Sequence, residues 1–166
     1  MLIRSVLACS LVLWSFSALA QSASIALGTA QFDRTQPVEV TADALSVDQS
    51  NGSAVFDGNV LVVQGEVRLS AGRVAVEYSQ ENGSPSGIAR LLASGGVTFV
   101  TANDAVEARQ AAYSVAEGTV VLSGDVLLTQ GANAIAGDKL TINLEAGSGT
   151  MEGRVRTVFT PSGGDN

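Results

Sequence analysis

Asp43, Asp57, Asp125 and Asp138 are the side chains of this chain best equipped for acid–base work. Paired carboxylates can cleave a glycosidic bond, one acting as acid and the other as base or nucleophile. Each of the four, however, sits at a turn or repeat junction, where aspartate is favoured because its carboxylate satisfies nearby backbone amides. Capping is therefore the reading these residues support. Histidine is absent and the one cysteine is Cys9, which removes imidazole and thiol catalysis and the common zinc ligand sets from the body of the chain. The tight glycine–aspartate repeat of a calcium-binding β-roll is missing as well. The expectation is no catalytic residue, no metal and no cofactor. Arginine pairs bidentately with phosphate, and among Arg34, Arg68, Arg73 and Arg90 the two that flank a polar insert, Arg73 and Arg90, are the candidate phosphate contacts. Each taken alone reads as a solvated charge on a strand face.

The elements that would carry these residues repeat. Gly58-Asn59-Val60, Gly95-Gly96-Val97, Gly124-Asp125-Val126 and Gly153-Arg154-Val155 are spaced 37, 29 and 29 residues apart, and the longer interval contains the polar insert Gln80–Gly87. A fixed period of this size marks a stacked supersecondary unit. Within each unit apolar and polar residues alternate, so the chain reads as a ladder of β-hairpins. Strands are expected at Val38–Thr41, Ala44–Val47, Ala54–Gln64, Val67–Glu77, Ile88–Leu92, Val97–Thr101, Val106–Val115, Thr119–Thr129, Ala134–Leu144 and Gly149–Thr160, with the insert as a loop. A ladder of like rungs suits an elongated ligand, or another copy of itself, better than a single point of chemistry.

The ends read differently. Arg4, the apolar run Val6–Leu19 and the small residues Ala18 and Ala20 form a secretory leader over residues 1–20, cleaved before Gln21. Val6-Leu7-Ala8-Cys9 has the look of a lipobox, but the apolar run continues past it. Residues 21–35 are expected to be a flexible lead-in, residues 36–160 the roll, and residues 161–166 a disordered tail. With the leader gone, eight basic residues stand against sixteen acidic ones, a net charge of −8, so nucleic acid is not an expected partner. A leader followed by an all-β pattern points to the periplasm.

Period two assigns the faces. One face carries Phe56, Val60 and Val62, then Val97 and Phe99, then Leu122, Val126 and Leu128, with Val155 and Phe159 after them. The other carries Asn59, Thr98, Asp125 and Arg154, mixed with Leu61, Val63 and Leu127. The continuous apolar column has two readings: a sandwich core filled by its own side chains, or the wall of a partly open groove.

Here the chain resembles the OstA-like family of lipopolysaccharide transport proteins, in particular its small periplasmic bridge members. The resemblance is carried by Gln36-Pro37-Val38-Glu39-Val40, by Ala42-Asp43, by the block Phe56–Gly65, by Val121–Val126 and by Ile135–Thr141, and it covers residues 36–160. It implies an all-β open twisted β-jelly roll of two antiparallel sheets facing each other across a groove that holds lipid A acyl chains. The groove residues are then Val38, Val40, Phe56, Val60, Val62, Val97, Phe99, Leu122, Val126 and Leu128. The resemblance also implies joining of copies end to end, with an inner-membrane lipopolysaccharide export complex at the N-terminal edge and an outer-membrane translocon at the C-terminal edge. The assembly edges are Val38, Glu39, Val40 and Thr41 at one end and Arg156, Thr157, Val158 and Phe159 at the other. The chain departs from a basic relative in having Lys139 as its sole lysine. Two alternatives stay open at this point: a polymerising β-solenoid without lipid, and a relative of the same fold still anchored by residues 1–20.

Overall fold

Alternation of apolar and polar residues leaves the backbone one good solution, and the chain takes it almost throughout. The computed structural model describes residues 22–27, 33, 35–48, 53–81 and 84–159. The expected leader, most of the lead-in between residues 28 and 34, and the tail lie outside the described residues. The strands are β1 (Ser22–Ala26), β2 (Glu39–Thr41), β3 (Ala44–Asp48), β4 (Ser53–Gln64), β5 (Val67–Glu81), β6 (Ser84–Val100), β7 (Asp104–Ser114), β8 (Thr119–Gln130), β9 (Asn133–Asn143), β10 (Ser148–Glu152) and β11 (Arg156–Val158). All pair antiparallel in one sheet of order β1-β10-β9-β8-β7-β6-β5-β4-β2, with β3 also on β4 and β11 also on β9.

The sheet is continuous, yet it folds into two layers. Every long strand from β4 to β9 changes register near its middle, between Asp57 and Val60, Ala71 and Arg73, Ser94 and Val97, Glu107 and Gln110, and Ser123 and Val126. These bulges stack into a single corner line, and a bulge bends its strand and sharpens the twist. The Gly-x-Val repeat is that corner. Gly58 and Asn59 have φ of 78° and 46°, Gly95 and Gly96 81° and 83°, Gly124 and Asp125 83° and 50°, and Gly153 and Arg154 75° and 45°. Two successive left-handed residues favour glycine at the first site and glycine or a short polar residue at the second. Val60, Val97 and Val126 then re-enter the ladder facing inward, while Val155 packs half-buried just before β11.

One layer holds β2, the second halves of β4, β6 and β8, the first halves of β5, β7 and β9, and β11. The other holds β3, the remaining halves, β10 and β1. Side chains from both inner faces merge into one apolar core in which Val74, Leu122, Leu128, Leu140 and Met151 are fully buried. The two expected sheets are thus two halves of one, joined by strands that cross the corner.

Four expectations need correction. Gly149–Thr160, expected as one strand, is two, β10 and β11, parted by the corner residues 153–155. Ser22–Ala26, placed in a flexible lead-in, is strand β1 on the edge of β10. Its alternation continues through Ala23, Ile25 and Leu27, and Ile25 and Leu27 are buried. Gly149 opposite them makes room, since a β-carbon there would lie 3.0 Å from Leu27 Cδ1. The insert Gln80–Gly87 is not a loop: β5 runs to Glu81 and β6 starts at Ser84, with Gln80 opposite Pro85. Its described ends are exposed strand, Gln80 and Glu81 on β5 and Ser86 and Gly87 on β6. Ile88–Leu92 and Val97–Thr101 are likewise one strand, β6, bent at Gly95-Gly96.

Candidate functional site

The candidate acid–base residues belong to the corner. Asp43 donates its backbone amide to the Gly58 carbonyl at 2.9 Å and accepts from Asn59 Nδ2 at 2.7 Å. Asp138 repeats this at the far end of the corner line: its amide donates to the Gly153 carbonyl at 3.0 Å, and its carboxylate accepts from Arg154 Nε at 3.0 Å. Asp125 pairs with Arg109, and Asp57 with Arg73. All four partnerships join residues sixteen apart, the offset that the hairpins impose at the bend. Hydrogen bonds from Arg154 hold the Asp138 carboxyl below the ordinary carboxylate range. These carboxylates meet an amide and guanidiniums, so the arrangement steadies the corner.

The ten expected groove residues do come together. Val60, Val62, Val97, Phe99, Leu122, Val126 and Leu128 are buried in the common core, and Val38, Val40 and Phe56 pack half-buried against it. In this structure the layers lie close and fill the space between them. Val62, Val67, Leu69 and Phe99 of one layer meet Val74, Leu91, Tyr113, Val120 and Leu144 of the other around a cavity of about 30 Å³. That volume admits about one water molecule and no acyl chain. The interior as it stands is the filled core, so a lipid would have to part the layers.

The rim opposite the corner is where they would part, and two glutamines span it. Gln64, at the end of β4, accepts from the Tyr113 hydroxyl of the other layer at 3.3 Å and donates Nε2 to the Gln36 carbonyl at 2.9 Å. Gln36 is in turn held by Asp33, whose carboxylate takes bonds from Thr35 and from Gln36 Nε2 and is lowered in pKa by them. Gln130, at the end of β8, donates Nε2 to the carbonyl of Ala26 in the other layer at 3.0 Å and to Asp104 Oδ1 at 2.8 Å. Reasoning from the sequence missed both glutamines. Their signal is a polar residue on the inward parity of an apolar column, in phase with Val60-Val62 and Val126-Leu128.

Arg73 and Arg90 are placed away from this interior. Both project from the outer face of their layer, next to the inward Val74 and Leu91, and each meets a carboxylate, Asp57 for Arg73 and Glu77 at 3.9 Å for Arg90. Parity decides this, because the immediate neighbour of an inward residue must point out. They do not line the apolar column.

The edges carry exposed apolar groups, of which the face assignment included Phe159 but not Leu45 and Val47. Leu45 and Val47 are 55% and 62% exposed, although they lie opposite Phe56 and Ala54 and so face inward. Val158 and Phe159 are 57% and 73% exposed at the other end. The expected edge Val38–Thr41 is an edge strand, and Arg156–Val158 has β9 as its one strand partner among the described residues. At each end, though, the edge is double: β2 and β3 at one, β11 and β1 at the other.

A long antiparallel roll, bent along a glycine corner, with one apolar column and edge strands at both ends, defines the class. Residues 39–148 match the family model described as the LptA/(LptD N-terminal domain) LPS transport protein, and the chain belongs to that family. Lipopolysaccharide export system protein LptA of Escherichia coli (strain K12) is 35% identical over 157 residues, covering 85% of this chain and 80% of that one. An uncharacterised protein of Rhizobium meliloti is 29% identical over 153 residues, 87% of this chain and 82% of its own. The fold matches the crystal structure of Pseudomonas aeruginosa LptH, described as the LptA-homologous periplasmic component of the lipopolysaccharide transport device. The TM-score is 0.65, the identity 21%, and the match covers 78% of this chain and 99% of that one.

Proposed function

We propose that this protein is a periplasmic lipopolysaccharide carrier. It takes lipid A acyl chains between its two layers and bridges the inner and outer membranes by joining similar rolls end to end. The observation that carries the reading is the apolar column. It runs from the exposed Leu45 and Val47 at one edge, through Val60, Phe99, Val126 and Leu128, to Phe159 at the other. Burial of each methylene contributes roughly 0.8 kcal/mol, so a few partly shielded chains hold a lipid while leaving it able to move on. Edge strands at both ends are templates for further pairing, and joining last edge to first is a heterologous contact that extends without closing. The inner-membrane export complex then docks at the β2–β3 end and the outer-membrane translocon at the β11 end. The names of the relatives support the substrate and the compartment.

A photo-crosslinking residue in place of Phe99 is expected to capture lipopolysaccharide in cells, and the same residue at Thr98, on the outer face, to capture much less. Equal capture at both sites would remove the groove from the proposal. The filled interior favours a second reading, a polymerising roll with no lipid ligand. Lipid analysis of the purified protein separates the two, since under that reading no lipopolysaccharide co-purifies.

A further inference from the structure

The two ends of the roll are not equivalent in strand count. Among the described residues, the layer that contains β2 and β11 has eight strands, and the layer that contains β3 and β1 has nine. The ninth is β1. With β1 set aside, each layer starts on a short strand of one direction and finishes on a strand of the other. A second copy could then continue both layers antiparallel at once, its β2 beside β11 and its β3 beside β10. With β1 in place one layer is a strand ahead of the other, by about 4.8 Å. Its outermost strand also runs in the same direction as β3, so an incoming β3 would have to pair parallel and out of step.

β1 occupies the place of β3 with the pattern of β3. Both strands have five residues. Ala23-Ser24-Ile25 puts Ala23 over Met151, Ser24 over Thr150 and Ile25 over Gly149. Leu45-Ser46-Val47 has the same apolar–serine–apolar order, and its apolar pair faces inward on β4. Laid on β10 in the same direction, Val47 would enter the site Ile25 fills above Gly149, with Leu45 above Met151. Ile25 and Leu27 are buried in the monomer while Leu45 and Val47 are more than half exposed. Exchange therefore buries one pair as it releases the other.

We infer that β1 is an internal surrogate for the β3 strand of the next copy, and that it caps the β10 edge until that copy displaces it. This inference rests on the end-to-end association proposed above. Because the two strands bury similar groups, the outcome is set by concentration. A strand tethered to its own chain acts at an effective concentration on the order of millimolar, so the cap holds in dilute protein and yields where copies or similar partner rolls are crowded. It also covers Gly149 and Met151 of β10 in the free monomer.

The test locks the cap. Ser24 and Thr150 are directly opposed on the outer face, and a Ser24→Cys/Thr150→Cys pair in a Cys9→Ser background contains no other thiol. Sedimentation velocity over a concentration series is run on the oxidised and reduced forms and on a variant lacking residues 22–27. We expect oxidation to weaken association at least about tenfold, reduction to restore it, and the truncated variant to associate more tightly than the intact chain. Equal association of oxidised and reduced protein overturns the cap and leaves the bridge intact. A disulfide that joins positions 24 and 150 of different copies in dilute protein overturns it in favour of a strand exchanged between copies. If neither the reduced protein nor the truncated variant associates at any concentration, end-to-end joining itself fails, and the cap with it.

Discussion

At the residue scale the corner decides what can be substituted. Arg154 holds φ of 45°, a conformation an L-residue adopts at a cost, and Asp138 steadies it by accepting a bifurcated hydrogen bond from Nε, at 3.0 and 3.2 Å, and a second bond from Nη2. Gly153 before it is doubly constrained, since a β-carbon would lie 2.7 Å from Asp138 Cβ in addition to the strain of φ 75°. Gly96, at the second corner position, has φ of 83° and nothing within 4 Å of a β-carbon site. Gly153→Ala is therefore expected to destabilise by about 1–3 kcal/mol, whereas Gly96→Asn, which meets the backbone strain without the clash, is expected to cost less, about 1 kcal/mol; denaturant midpoints compare them. Acid tests the Asp138 pairing. The folded-state pKa of Asp138 is lowered from 3.8 by Arg154. Its contribution is then fully present above the unfolded value and lost as pH falls through the folded one. The stability gap between wild type and Asp138→Asn should hold at neutral pH and shrink below pH 3.8. A gap that stays constant into that acid range would show that the pairing adds nothing.

At the element scale the strand pattern was legible because period two survives every bend. The corner inserts an even number of residues, Gly58-Asn59 or Gly124-Asp125, into one strand, so Val60 and Val126 keep the parity of Phe56 and Leu122. That is why the groove residues read from the sequence meet in one core. Exposure at an edge was not legible. Leu45 and Val47 carry the inward parity of a core strand, and they stand in solvent because β3 has no strand beyond it among the described residues. β1 was missed for a related reason: its alternation, Ala23, Ile25 and Leu27, is too short to declare a strand alone, and its partner is the edge of β10, far along the sequence. The partners of Arg73 and Arg90 were not legible either, since a charge next to an inward residue declares its face but not the carboxylate beside it. Val47→Lys puts the edge itself to the test. The side chain is 62% exposed in the monomer, so stability is expected to change by no more than about 0.5 kcal/mol. Self-association should fall sharply, because the charge would have to enter the apolar site above Gly149. Unchanged sedimentation of this variant across concentration would place the contact elsewhere.

At the scale of the whole molecule the roll has a corner built into its backbone and a rim fastened by side chains. The corner is backbone and ion pairs, repeated strand after strand, and has no reason to yield. The rim is held across the layers by hydrogen bonds from Tyr113 to Gln64 and from Gln130 to Ala26, beside a cavity of about 30 Å³. A lipid that enters must break those bonds and separate Phe99 and Val62 from Val74 and Val120. Under the carrier reading, acyl methylenes would take over the packing that the two layers give up, which would bring the closed and filled states close in free energy. Weakening the rim should then cost stability and favour loading. Tyr113→Phe removes the hydroxyl and leaves the ring in place, which is expected to destabilise by about 0.5–1.5 kcal/mol. The same change should raise capture of lipopolysaccharide by a crosslinker at Phe99. The two effects must move in opposite directions if the rim gates the interior. A variant that loses stability and captures less lipid would mean that the closed packing, and not its opening, is what the ligand recognises.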